Sequence, residues 1–126
     1  AYRVVPALPG TDVTTRSQAG LGLARVLEEQ AALAGETEER EKLLQQSLDQ
    51  CMEIVFGGNL RSDIEKMDPF WVKEAGLMAG HLARLLGRAD QERRVYLRLA
   101  KELPDMPLWQ AKLDAFKTGS EAPKTP

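Results

Sequence analysis

His81 is the only histidine of the chain and the residue best suited to acid–base chemistry. A general base needs a carboxylate to orient it and a nucleophile within hydrogen-bond reach. Glu74 lies seven residues earlier, too far for a hydrogen bond within one helix. Arg84 and Arg88 follow His81, and cations there disfavour a charged imidazole. We therefore expect the His81 side chain either to have its hydrogen-bonding groups satisfied within the fold or to face solvent. A small enzyme centred on His81, with Glu74 and Arg84, stands as an alternative.

The composition argues against metal and cofactor sites. With one cysteine, Cys51, and one histidine, the chain holds no cluster of Cys or His ligands and no internal disulfide. The acidic residues between Glu36 and Glu41 lack the alternating oxygen ligands of a calcium loop. Gly57-Gly58 belongs to no phosphate-binding motif. Cys51 lies in an apolar stripe and is interpreted as a small core residue. We expect no catalytic residue, cofactor or metal.

The charges are nearly balanced, which disfavours nucleic acid as the partner. The chain has 17 Lys+Arg, 19 Asp+Glu and a formal net charge of -2. Arg94, Arg98 and Lys101 form a basic stripe, but Glu92 and Glu102 interrupt it and no aromatic residues interleave to stack bases. A non-repeat helical bundle that binds nucleic acid through this stripe stands as a second alternative.

The sequence leaves the compartment open. No apolar run approaches the roughly 20 residues that cross a bilayer, so no membrane span is expected. The chain begins at Ala1 rather than Met, so an upstream signal or domain could have been removed from it. Both a cytoplasmic and a periplasmic location therefore fit.

Helices must position these side chains, because Leu and Ala far outnumber Val and Ile. Periodic apolar stripes, caps and glycine stops predict five of them, at about residues 17–34, 37–56, 69–86, 90–103 and 108–116. Asp68-Pro69 is the clearest helix start, and Asp90 is expected to cap the fourth helix. Residues 60–67 fit either a short helical turn or an ordered loop. We expect an extended lead-in over 1–15, a helical domain over 16–116 and a flexible tail over 117–126.

Residues 73–106 resemble the tetratricopeptide repeat, a helical hairpin of 34 residues. Gly80 matches the small residue of the family's first helix, and Ala83 matches an apolar contact there. Gly87 matches the turn, Tyr96 the aromatic of the second helix, and Pro104 the closing proline. The resemblance implies that Gly80 permits a close helix crossing and that Tyr96 fills the wedge between successive hairpins.

A degenerate earlier copy begins at Ala19-Gly20-Leu21, which mirrors Ala75-Gly76-Leu77. The sequence departs from the family pattern at Glu92 and Leu99, where small residues are usual. It resembles divergent members of the family from the bacterial cell envelope. The resemblance implies an all-α fold of stacked antiparallel helical hairpins, an α-solenoid of about two repeats plus a C-terminal capping helix. A non-repeat bundle is the alternative.

The first helix of each pair lines a concave groove in this family, so the resemblance implies a non-catalytic scaffold for protein–protein interaction. The groove positions carried over are Glu74, Leu77, Met78, His81, Arg84 and Leu85, with Gln18, Leu21, Arg25 and Glu28 in the degenerate copy. The partner would be a peptide, a helix or a second copy of the chain. Alternatively, Leu77, Met78 and Leu85 simply pack against the fifth helix or a missing neighbour.

Two hairpins are fewer than the three that such arrays normally need. We therefore expect either a piece of a longer array or a dimer formed through an exposed apolar edge. The aromatic pairs Trp109 with Phe116, and Phe70 with Trp71, are the candidates for that edge.

Overall fold

The computed structural model describes residues 12–61 and 65–118, with side chains up to residue 116. This part of the chain folds into five helices. They are α1 (Val13–Ala34), α2 (Glu38–Val55), α3 (Pro69–Leu85), α4 (Ala89–Glu102) and α5 (Pro107–Thr118).

The first helix begins earlier than the sequence predicts. The Asp12 carboxylate accepts a hydrogen bond from the backbone N–H of Thr15 at 2.7 Å, which caps α1 ahead of Val13. The expected lead-in therefore ends before residue 13 rather than at residue 15, and α5 extends to Thr118, into the expected tail. The rest of both expected segments, residues 1–11 and 119–126, lies outside the described residues.

Glycines end the helices where the sequence predicts turns. Gly35, Gly57 and Gly87 have φ angles of 73°, 79° and 70°, a left-handed region that other residues rarely adopt. After α3, Gly87 N–H bonds Arg84 O and Arg88 N–H bonds Ala83 O, which satisfies the last carbonyls of the helix. The predicted Asp90 cap is wrong, because α4 already begins at Ala89.

The helices form a stack of antiparallel hairpins, which confirms the predicted all-α fold class. α1 pairs with α2, and α3 pairs with α4. The second hairpin packs on the first, with α3 against α1 and α2 and with α4 against α2. α5 covers the outer end of the stack by packing on α4. Fully buried Leu21, Leu48, Leu82 and Leu99 belong to one continuous core.

Two glycines of α3 let α4 approach closely. A Cβ atom placed on Gly80 would lie 2.5 Å from Tyr96 Oη and 2.8 Å from its Cε1. A Cβ on Gly76 would overlap the Leu99 side chain. Leu99 is therefore accommodated by the absence of a side chain opposite it. Tyr96 also stacks on Trp109 of α5, with ring centroids 6.3 Å apart.

The connection between α2 and α3 is an ordered loop in its described residues, held by the buried side chain of Arg16. Arg16 is 3% exposed and donates to Asn59 O at 3.0 Å and to Glu65 Oε1 at 2.5 Å. The Asn59 amide in turn donates to Ser17 Oγ at 3.0 Å. The backbone N–H of Arg61 and the Arg16 guanidinium lower the pKa of the Glu65 carboxyl.

Candidate partner-binding site

The outward sides of α1 and α3 meet in one surface that carries five of the ten predicted groove residues. Arg25 Nη2 lies 3.9 Å from Glu74 Oε1, and His81 Nε2 lies 3.6 Å from Glu28 Oε2. Leu77 lies one helical turn from both Glu74 and His81 on α3. We call these five residues, Arg25, Glu28, Glu74, Leu77 and His81, the α1–α3 face. They come from both hairpins, so only the stacked fold assembles them.

The Arg25–Glu74 ion pair and the His81–Glu28 contact of the α1–α3 face are exposed to solvent. The side chains of Arg25 and His81 are 59% and 58% exposed, and those of Glu74 and Glu28 are 28% and 35% exposed. Pairs of this kind contribute only about 0–1 kcal/mol, because water screens them. A ligand with its own charges could therefore exchange partners with these side chains at little cost in free energy.

The apolar groove positions divide between surface and core. Leu77 and Leu85 remain 38% and 43% exposed, because α5 packs on α4 and makes no close approach to α3. The alternative interpretation that the fifth helix covers them is wrong, and packing against a missing neighbour stays a prediction. Met78 is half-buried and packs against the core, whereas the alternative interpretation expected it to pack against the fifth helix or a missing neighbour. Leu21 is fully buried, so its assignment to the groove is wrong.

Arg84 is directed to α4 instead of to the α1–α3 face. It donates from Nη2 and Nε to Glu92 Oε2, at 2.6 and 3.1 Å. Tyr96 Oη donates to the same oxygen at 2.8 Å. Glu92 is only 3% exposed, so this departure from the family pattern is a buried carboxylate with three hydrogen bonds. Arg84 thus joins the two helices of its hairpin.

The basic stripe on α4 is divided by an inward-facing arginine. Arg98 donates to Val55 O at 3.1 Å, pairs with Glu102 at 3.3 Å and lies over the Phe56 ring. Arg94 and Lys101 remain exposed on either side of it. The stripe is therefore not one continuous row of cations available to phosphates.

The aromatic residues considered for a dimer edge have different environments. Trp109 is fully buried and Phe116 is half-buried against the core, so the C-terminal pair does not form an exposed edge. Phe70 is 53% exposed and contacts Trp71 edge-to-face, with ring centroids 4.8 Å apart. Of these two pairs, only the one at the start of α3 presents an exposed aromatic ring.

One feature of the site was not predicted from the sequence. The carboxylate beside His81 is Glu28, 53 residues earlier in the chain, rather than Glu74 on the same helix. Its signal was the shared placement of both residues on the first helices of successive copies. Cys51 is buried as expected, and that burial raises the pKa of its thiol to about 12, which suppresses the reactive thiolate.

Comparisons with protein-family models, curated proteins and solved structures give no match to this chain. Within residues 12–61 and 65–118, no three His, Cys, Asp or Glu side chains lie close enough together to hold a metal ion. No helix of this part is long and apolar enough to span a bilayer.

Proposed function

We propose that the chain is a non-catalytic protein-interaction module, similar to the tetratricopeptide repeat, which binds a peptide or helix of a partner protein through the α1–α3 face. The observation that carries this proposal is the position of the face. Paired charges and the exposed Leu77 come from the first helices of two stacked hairpins and form one surface. A surface with exposed aliphatic carbons between charged side chains can contact both the apolar and the charged side chains of a peptide.

Two further observations support binding rather than catalysis. The His81–Glu28 pair is largely exposed, so it lacks the desolvated setting in which an acid–base pair is most effective. Arg84, the third residue of the alternative enzyme site, is engaged with the buried Glu92. The hairpin crossing at Gly80 and Tyr96 and the turn at Gly87 support the resemblance to the repeat family.

The proposal is tested with peptides selected from a random dodecapeptide phage library on the immobilised chain. Affinities of the selected peptides are then measured by fluorescence anisotropy for Leu77→Ser and for Leu97→Ser. Leu97 lies on α4, away from the α1–α3 face, and is 44% exposed against 38% for Leu77, so the two variants remove similar exposed areas. Circular dichroism spectra and melting curves establish that both variants keep the fold.

Burying the exposed part of Leu77 corresponds to about 0.6–1.1 kcal/mol, taken as its 38% share of the ~1.5–3 kcal/mol for a whole leucine. We therefore expect Leu77→Ser to raise Kd about threefold to sixfold and Leu97→Ser to leave it unchanged. The proposal would be contradicted by an equal rise of Kd in both variants, by an unchanged Kd in Leu77→Ser, or by a selection that enriches no peptide.

The charges of the face are tested separately. Arg25→Glu places a carboxylate beside Glu74, whereas Arg93→Glu makes the same charge change on an exposed position of α4. We expect only Arg25→Glu to change peptide affinity, and to do so less at high salt, because exposed charges are screened. Salt-dependent binding of an oligonucleotide that Arg25→Glu leaves intact would favour the nucleic-acid alternative instead.

A further inference from the structure

A cleft of about 400 Å³ lies between the α2–α3 connection and the C-terminal end of α4. This volume falls within the ~300–1,000 Å³ range of small-molecule sites in proteins. Its walls are largely apolar and come from the connection, the start of α3 and the end of α4: Leu60, Met67, Pro69, Val72 and Leu103. None of these residues belongs to the α1–α3 face, so the cleft is a separate feature.

Among the described residues of the cleft, the charged ones are two cations and one carboxylate. Arg98 lines the cleft, but its Nη1 is 3.3 Å from Glu102 Oε2 and its Nε donates to Val55 O. These contacts compensate its charge and fix its position. Lys66, also in the lining, is an exposed residue of the connection. The lining that the structure describes therefore has one cation in excess, beside five apolar residues.

The described residues of the connection that form one wall are held in place before any ligand arrives. The buried Arg16 guanidinium bonds both Asn59 O and Glu65, one on each side of the wall residue Leu60. At the base of the cleft, the Cβ position of Gly57 is 3.1 Å from Met67 Cε and 3.4 Å from Leu60 Cδ1. Both side chains thus rest on the backbone at the end of α2. A wall that needs little ordering costs less entropy on binding.

We propose that this cleft binds a small organic carboxylate with an apolar body. The carboxylate lies at Lys66, and the apolar body lies against Met67, Val72 and Leu103. The excess cation selects the sign of the head group, and the aliphatic lining selects an apolar body over a second polar group. The cleft is thus a small-molecule site on a chain whose α1–α3 face takes a protein partner.

Octanoate is the probe, with octylammonium as the charge-reversed control and butyrate as the short-chain control. Binding to the full chain is followed by methyl and amide chemical shifts in NMR titrations. We expect saturable shifts from octanoate at the methyl groups of Leu60, Met67, Val72 and Leu103. Octylammonium and butyrate should bind at least about threefold more weakly, because each lacks one of the two interactions.

Lys66→Glu tests the head-group contact, with Lys42→Glu as its matched control. Lys42 lies in the first turns of α2, at the opposite end of that helix from the cleft, so it makes the same charge change at a distance. We expect Lys66→Glu to weaken octanoate about fivefold or more and Lys42→Glu to leave it unchanged.

Three results would overturn the proposal. They are equal shifts from octanoate and octylammonium, shifts spread over the surface outside the cleft, and octanoate affinity that Lys66→Glu does not alter. Peptide binding at the α1–α3 face is measured with different variants, so failure at one site is distinguishable from failure at the other.

Discussion

Adding one methyl group at Gly80 tests the close crossing of α3 and α4. In an isolated helix, Gly80→Ala would be stabilising by about 1 kcal/mol, because alanine is the better helix former. In this fold the new Cβ would lie 2.5 Å from Tyr96 Oη and 2.8 Å from Cε1, far inside van der Waals contact. The tyrosine ring must therefore move or the helices must separate.

Tyr96 has little freedom to move. Its hydroxyl donates to the buried Glu92 at 2.8 Å, its ring stacks on Trp109, and it is 3% exposed. Overpacking of this kind costs about 1–3 kcal/mol, and disturbing a hydrogen bond to a charged group adds to it. After the gain in helix propensity, we expect Gly80→Ala to lower the free energy of unfolding by about 2 kcal/mol.

Gly20 provides a matched control in α1. A Cβ there would meet Ile54 Cδ1 at 3.5 Å and Gln50 Oε1 at 3.8 Å, which are ordinary contacts. Gly20→Ala therefore keeps the propensity gain, and we expect it to raise the free energy of unfolding by about 0.5–1 kcal/mol. The same chemical change has opposite signs at two helical glycines.

Urea denaturation followed by circular dichroism at 222 nm measures both variants. In a Tyr96→Leu background the steric penalty of Gly80→Ala should largely vanish, which a double-mutant cycle reports as a coupling free energy. If Gly80→Ala stabilises the chain as much as Gly20→Ala does, the two helices do not cross as closely as described, and our account of Tyr96 is refuted.

Two further predictions concern buried groups. The thiol of Cys51, with its pKa raised to about 12 from 9.0, should resist alkylation until the chain unfolds. Because the unfolded chain loses this proton first, stability should fall between about pH 9 and 12, and a urea series with Cys51→Ala should show a weaker decline. Arg16→Ala removes a buried charged donor from Asn59 O, and we expect it to lower the free energy of unfolding by about 2–3 kcal/mol. Amide exchange at Leu60 should then accelerate; unchanged exchange would mean that Arg16 does not hold the connection.

Local signals explain which parts of the fold the sequence predicts. Asp68-Pro69, Gly35 and Gly87 act within one turn of chain, so their roles are readable from neighbouring residues alone. The predicted start of α1, at about residue 17, is too late because Thr14, Thr15 and Ser17 are also residue types that favour the N-cap, so residue type alone does not single out Asp12. Asp90 was misassigned because acidic residues favour the first turn of a helix as well as its cap.

Contacts between distant residues explain the rest. Arg16 contacts Asn59 and Glu65 across more than 40 residues, and no periodicity connects them. The resemblance placed Glu28 and His81 on the first helices of two hairpins, but their contact depends on how the hairpins stack. The resemblance to the repeat family predicts which residues belong to the α1–α3 face. It does not predict which of these residues contact each other.

The last helix depends on a single neighbour. Among the described helices, α5 packs only on α4, and its buried anchor is Trp109 against Tyr96. If α5 frays from this end, Trp109 becomes exposed to water and its fluorescence emission shifts to longer wavelength. Trp71, at the start of α3, keeps its surroundings. The fluorescence of the two tryptophans therefore reports whether α5 unfolds before the other four described helices.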